Sequence, residues 1–120
     1  MRKLHQVLTA CAISTITLSA GVSAADPPKE VTGKMLAFDK TKGNCLACHG
    51  MPTVPDAEAT GTIGPPLIAM SARYPDKAKL RAQIWDATAA NPSSSMIPFG
   101  KNMVLTEQEL DKVLDYIYGL

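Results

Sequence analysis

The residues most able to do chemistry in this chain are Cys45, Cys48 and His49, within "KGNCLACHGMP", Lys42 to Pro52. Three chemistries use such a cluster. A redox dithiol of the thioredoxin type needs a βαβ setting, and no strand pattern is visible. A structural zinc site needs four ligands, usually as two pairs, and the mature chain derived below keeps only two cysteines and one histidine. Covalent haem attachment uses all three residues. Thioether bonds from Cys45 and Cys48 tether the porphyrin, and the next residue, His49, can swing its imidazole under the iron.

Haem iron in an electron carrier usually takes a sixth ligand, and a methionine there raises the potential. Met35, Met51, Met70, Met96 and Met103 are the mature candidates. A methionine is more often a gap-filler in a core than a ligand. Met51 lies too near His49 in sequence to reach the opposite haem face. Met35 and Met70 sit within or beside helical patterns and read as core. Met96 lies in a loop and is followed by Ile-Pro-Phe-Gly, whose proline stiffens the backbone. It is the first choice, with Met103 of the same loop second. A ligating imidazole also needs an acceptor for its other N–H. A proline carbonyl in "IGPPL", Ile63 to Leu67, could supply it, or the stretch could be an ordinary turn.

This inventory has consequences for catalysis. Once Cys45 and Cys48 are tethers, no thiol remains as a nucleophile, and a ligating Met96 closes the sixth position. No paired carboxylate or Ser-His arrangement appears in the loops. The expectation is electron transfer, with no catalysis by this chain alone.

A chain of 120 residues allows one small domain. Its start reads as a secretory signal peptide, residues 1–25. Arg2 and Lys3 precede a largely apolar run, Val7 to Leu18, and "VSAADPP" offers cleavage after Ala24 or Ala25. The run is too short and too polar for a stable membrane span. Cys11 in "LTAC" resembles a lipidation site, but the apolar run continues past it, so it reads as part of an ordinary signal. Cleavage leaves a domain at 26–120, exported to the periplasm with no membrane anchor. It removes two basic residues from 12 and no acid from 11, so the mature charge is 10 − 11, about −1. Nothing points to nucleic acid. So small a domain buries a limited core, and a large apolar cofactor would complete it.

The elements that must position these residues are helical. Val31 to Lys42 reads as a short helix with Val31, Met35 and Phe38 on its packed face. Gly33 inside it marks a close backbone crossing, and Gly43 ends it. Residues 50–68 form a Pro- and Gly-rich loop. Pro75 to Ala90 is the next helix, with Leu80, Ile84, Trp85 and Ala87 or Thr88 as its buried stripe, stopped by Asn91-Pro92. Residues 91–105 are a second loop. Thr106 and Glu109 form a capping box for the last helix. Leu105 and Leu110 are placed as a hydrophobic staple, and Leu110, Val113, Leu114 and Ile117 form its apolar face. The expected fold is all-α, with three to four short helices and long loops wrapped around one haem. Lys29, Lys34, Lys40 and Lys42 precede the cysteine motif and read as solvated surface, with partner steering as the other use.

In order, these features resemble the class I cytochromes c: a terminal helix, Cys-x-x-Cys-His, Gly64-Pro65-Pro66-Leu67, the Met96 loop and an amphipathic last helix. That resemblance implies that Pro65 gives its carbonyl to His49 and that Met96 is the distal ligand. It also implies that Gly33 and Phe38 meet Tyr116 where the terminal helices cross. A narrower resemblance is to SoxX, the monohaem subunit of the SoxAX cytochromes of sulfur oxidation. "GNCLACH", "IGPPLIAMSARYPDKAKLRAQIWDATAANP", "SMIPFGKN" and "LTEQELDKVLDYIYGL" carry it. Ile97 stands where that family's pattern leads one to expect proline. The family implies a periplasmic heterodimer with a SoxA-type cytochrome subunit. The complex couples thiosulfate oxidatively to a carrier-protein cysteine, an L-cysteine S-thiosulfotransferase activity housed at the partner's haem. The present subunit would pass electrons to a small acceptor such as another cytochrome c. The alternative is a free, diffusible class I cytochrome c in a respiratory chain. A cofactor-free dithiol oxidoreductase is the third reading.

Overall fold

The computed structural model describes residues 30–58 and 60–120; the signal peptide expected at 1–25, Cys11 and Lys29 lie outside the described residues. Helix α1 spans Gly33–Phe38, α2 Met70–Arg73, α3 Lys77–Trp85, α4 Ala87–Ala90 and α5 Glu107–Tyr118, with 3-10 turns at Lys40–Lys42 and Cys45–Ala47. No strand occurs among the described residues, and none of their helices is long and apolar enough to cross a membrane. The all-α expectation holds. The count exceeds three to four because α2 and α4 are single turns.

The terminal helices α1 and α5 make the main crossing, and α3 packs on α5 from another side. The crossing is close because of Gly33. A Cβ there would sit 1.9 Å from the Lys112 carbonyl oxygen and 2.9 Å from the Tyr116 Cβ, so only glycine fits. Gly33 on α5 also fixes how α1 is rotated. Leu36 and Ala37, at i+3 and i+4 from it, are buried, whereas Val31 and Met35 are 44% and 46% exposed. The expected packed face was therefore wrong for those two residues, and Met35 is not core. Phe38 does face inward and meets the Tyr116 ring edge-on at 6.4 Å.

The helix expected over 31–42 is also shorter. Thr32 caps its start by accepting from the Met35 N–H, and it ends at Asp39. The Asp39 side chain accepts from the Thr41 N–H and starts the 3-10 turn instead, the local competition with helix that aspartate favours. The helix expected over 75–90 begins after Asp76, whose carboxylate caps it, and breaks at Asp86 (φ −153°, ψ 89°). Asp86 caps α4 by accepting from the Thr88 N–H. Leu80, Ile84 and Ala87 are buried and Trp85 is half-buried.

Helix α5 is stabilised as its sequence indicates. Thr106 Oγ1 accepts from the Glu109 N–H at 3.2 Å and Glu109 Oε2 from the Thr106 N–H at 2.9 Å. Leu105 and Leu110 are both buried at the staple positions. On its outer side Arg81 of α3 reaches Asp111 at 2.7 Å and Glu107 at 3.2 Å, and Lys77 pairs with Asp115.

Candidate functional site

Asn44 starts the site. It adopts φ 37°, and its side chain accepts from the Leu46 N–H at 3.2 Å, opening the turn Cys45–Ala47. The Cys45 carbonyl then accepts from both the Cys48 and His49 N–H groups, at 3.2 and 2.9 Å. One tight turn thus brings two sulfurs and an imidazole to the same cleft. The cleft measures about 350 Å³ and is lined by Cys45, Cys48 and His49 together with Gly64, Pro65 and Met96. Apolar side chains from α2, α3 and α5, among them Met70, Leu80, Ile84, Val113 and Ile117, form its floor. That size and lining suit a largely apolar ligand.

The loop after the turn is strapped to it. Gly61 N–H donates to Leu46, Gly64 N–H to Cys48 and Leu67 N–H to Gly50, at 2.7, 2.8 and 2.8 Å. This strap brings the Pro65 carbonyl oxygen to 2.6 Å from His49 Nδ1. A carbonyl only accepts, so Nδ1 carries the proton and Nε2 keeps its lone pair for a metal. Gly64 lets the strap lie on the ring: a Cβ there would be 2.3 Å from His49 Cε1. Arg73 braces the far end. Its guanidinium donates to the Pro66 carbonyl at 2.7 Å and to the Met70 sulfur at 3.4 Å.

The methionines separate clearly. Met96 is half-buried and lines the cleft, with its N–H donating to Ser94 Oγ at 3.2 Å. Met103 has φ 56° and is 87% exposed, and it is absent from the cleft wall. Met51 is buried, and the Tyr116 hydroxyl lies 4.0 Å from its sulfur. Met70 is buried, with its sulfur engaged by Arg73.

The other chemistries fit poorly. Burial pushes the Cys45 thiol up to about 11, which starves a dithiol of thiolate. Among the described residues no group of three or more His, Cys, Asp or Glu could hold a metal ion, against a zinc site. The donor set at the cleft does fit haem c: two thiols, an imidazole with its Nδ1–H already engaged, a thioether, and apolar walls.

Two of the lysines ahead of the motif, Lys34 and Lys42, are paired. Lys34 reaches Asp56 at 2.6 Å and Lys42 reaches Glu109 at 3.1 Å. Sequence reasoning missed Arg73 and Asn44 as supports of the site. Asn44 could have been found, since Gly43-Asn44 is a pair tolerant of positive φ placed just before the motif. Arg73 carried no local signal.

Residues 33–117 match the family described as cytochrome c oxidase, cbb3-type, subunit III. An uncharacterized lipoprotein of Aquifex aeolicus (strain VF5) is 33% identical over 78 residues, 64% of this chain and 36% of that protein. The chain thus spans about a third of that relative's length. The crystal structure of SoxXA from P. pantotrophus superposes with a TM-score of 0.64 at 25% identity, over 72% of this chain and 77% of that one. Membership implies haem c at the Cys45–Cys48 motif. The chain belongs to the family described as cytochrome c oxidase, cbb3-type, subunit III, and it is a SoxX-like c-type cytochrome.

Proposed function

We propose that this chain is a periplasmic monohaem electron carrier and the SoxX-type subunit of a SoxAX thiosulfate-oxidising complex. Cys45 and Cys48 hold one haem, His49 and Met96 ligate its iron, and Pro65 orients His49. When bound, the haem supplies a reversible one-electron couple. The chain's own residues would tether it through Cys45 and Cys48, fix the His49 tautomer, offer His49 and Met96 to the iron and exclude water with apolar walls. The observation that carries this reading is the meeting of His49, braced on Pro65, and Met96 at one cleft. With His49 and Met96 both offered to the iron, no open metal site would remain for substrate, so thiosulfate chemistry would belong to a SoxA-type partner and electrons would leave to a small acceptor such as another cytochrome c. The single Cys-x-x-Cys-His motif supports one haem, and the leader at 1–25 supports export.

Surface chemistry favours a lasting complex over a diffusing shuttle. Residues 43–55, 60–72 and 87–100, which supply much of the cleft wall, contain no Asp, Glu, Lys or Arg. Arg73 is the one charged residue on the cleft wall, and a rim so sparse in charge steers a partner weakly at long range and suits close apolar contact. The test is affinity purification of the tagged, haem-loaded chain from cells grown on thiosulfate. A SoxA-type cytochrome should co-purify at low and high salt alike. Recovery of the chain alone, with salt-sensitive electron transfer to an oxidase, would establish the diffusible respiratory cytochrome instead.

A further inference from the structure

The loop bearing Met96 is plugged into the end of a helix. Helix α3 stops at Trp85 because Asp86 leaves the helical region, and the Ile84 and Trp85 carbonyls are then free to accept from outside. The loop fills them. Phe99 N–H donates to Ile84, and Gly100 and Lys101 N–H both donate to Trp85, each at 3.2 Å. Lys101 Nζ completes the plug by donating to Asp86 Oδ2 at 2.7 Å. On the upstream side Met96 N–H is held by Ser94 Oγ. The segment is thus pinned to α3 just downstream of Met96, from Phe99 to Lys101, while the Ser94 bond shapes the loop locally at Met96.

The two oxygens of Asp86 have separate partners. Oδ1 accepts from the Thr88 N–H at 3.0 Å and from its hydroxyl, capping α4, while Oδ2 accepts from Lys101. The Asp86 side chain is only 11% exposed, against 59% for Lys101. An anchored, largely buried carboxylate therefore holds an exposed ammonium, and with it the end of the loop.

We propose that Asp86 is a positioning residue for the distal ligand: through Lys101 it locks the loop onto α3 and so holds Met96 in the cleft. This rests on the reading of Met96 as the sixth ligand. Loosening the lock shifts the balance between ligated and displaced Met96, and an external ligand reads that balance.

The experiment titrates the ferric, haem-loaded protein with imidazole, following the methionine-to-iron charge-transfer band, and measures reduction potential beside it. Lys101→Met removes only the Oδ2 partner and, at an exposed position, leaves the core intact. It should raise imidazole affinity roughly two- to fivefold, the scale of a partly exposed ion pair, and lower the potential. Lys101→Arg should restore both. Thr88→Val, which removes the hydroxyl on Oδ1, should lower the melting temperature and leave imidazole affinity unchanged. Met96→Leu should abolish the band. If Met96→Leu behaves as wild type, the ligand reading falls. If Met96→Leu abolishes the band but Lys101→Met binds imidazole as wild type does, or Thr88→Val matches it, the lock is overturned while the ligand reading stands.

Discussion

Replacing Gly64 with alanine tests the most demanding contact of the site. The added Cβ would lie 2.3 Å from His49 Cε1, 2.6 Å from Nδ1 and 2.8 Å from Nε2, where ordinary contact begins near 3.4 Å. Something must move by about an ångström, since 3.4 − 2.3 is 1.1 Å. Neither side yields easily. The strap is held by backbone bonds at Gly61, Gly64 and Leu67, and the ring by its 2.6 Å contact with the Pro65 carbonyl. Forcing a methyl into such a place costs ~1–3 kcal/mol. Losing the Nδ1–H bond adds ~0.5–1.5 kcal/mol. Restricting the unfolded chain returns ~0.4–1 kcal/mol. The net is a loss of ~0.5–4 kcal/mol with a central value of ~2 kcal/mol, and at ~4–8 °C per kcal/mol for a domain of this size that central value lowers the melting temperature by ~8–16 °C. The potential should shift as well, because the orientation of the ligating imidazole changes. The assay is thermal unfolding of the haem-loaded protein with a redox titration. Gly50→Ala is the internal control, since a Cβ there meets only Thr60 Oγ1, at 3.7 Å. A Gly64→Ala protein as stable as wild type, or a Gly50→Ala protein equally damaged, would refute the reasoning.

Three further outcomes follow from the helices and their charges. Gly33→Ala gains up to ~1 kcal/mol of helix propensity but drives a methyl against the Lys112 carbonyl, so overpacking of ~1–3 kcal/mol should make it net destabilising in urea unfolding. Thr106→Ala removes a hydroxyl that caps α5 and should cost ~0.5–2 kcal/mol in the same assay. Acid should destabilise the fold in a defined window. Lys101 holds the Asp86 carboxyl below its ordinary value of 3.8, Lys34 does so for Asp56, and the Thr106 N–H holds Glu109 below 4.5. Groups depressed in the folded state stabilise it above the ordinary values, and that contribution is lost as pH falls through their lower folded values. Unfolding free energy measured against pH should be flat from neutrality to about pH 5 and drop below about pH 4; Lys101→Met should flatten part of the drop.

Helix α5 was readable because its signals are local. The capping box, the staple and the 3.6-residue apolar stripe all lie within sixteen residues of Leu105, and no distant partner is needed to interpret them. Helix α1 was misread for the opposite reason. Val31, Met35 and Phe38 share a plausible stripe, but rotation was set by Gly33 against Lys112, 79 residues away. The break at Asp86 was likewise hidden. Asp86 leaves the helical region, and the carbonyls of Ile84 and Trp85 so freed are taken by loop amides fifteen and sixteen residues onward, which "IWDATAA" does not record.

The attachment chemistry was legible in one dimension: Cys45, Cys48 and His49 are so close in sequence that covalent spacing alone puts two thiols and an imidazole on one turn. The sequence also narrowed the distal position to two methionines of one loop. It ranked Met96 ahead of Met103, and the tertiary structure adds that Met96 turns into the cleft while Met103 stands in solvent, because burial is a property of packing. The same holds for the Nδ1 proton of His49, which depends on a carbonyl sixteen residues away being held at hydrogen-bond distance. Contacts between distant segments are fixed by how the helices seat on one another, and one-dimensional spacing carries no record of that seating.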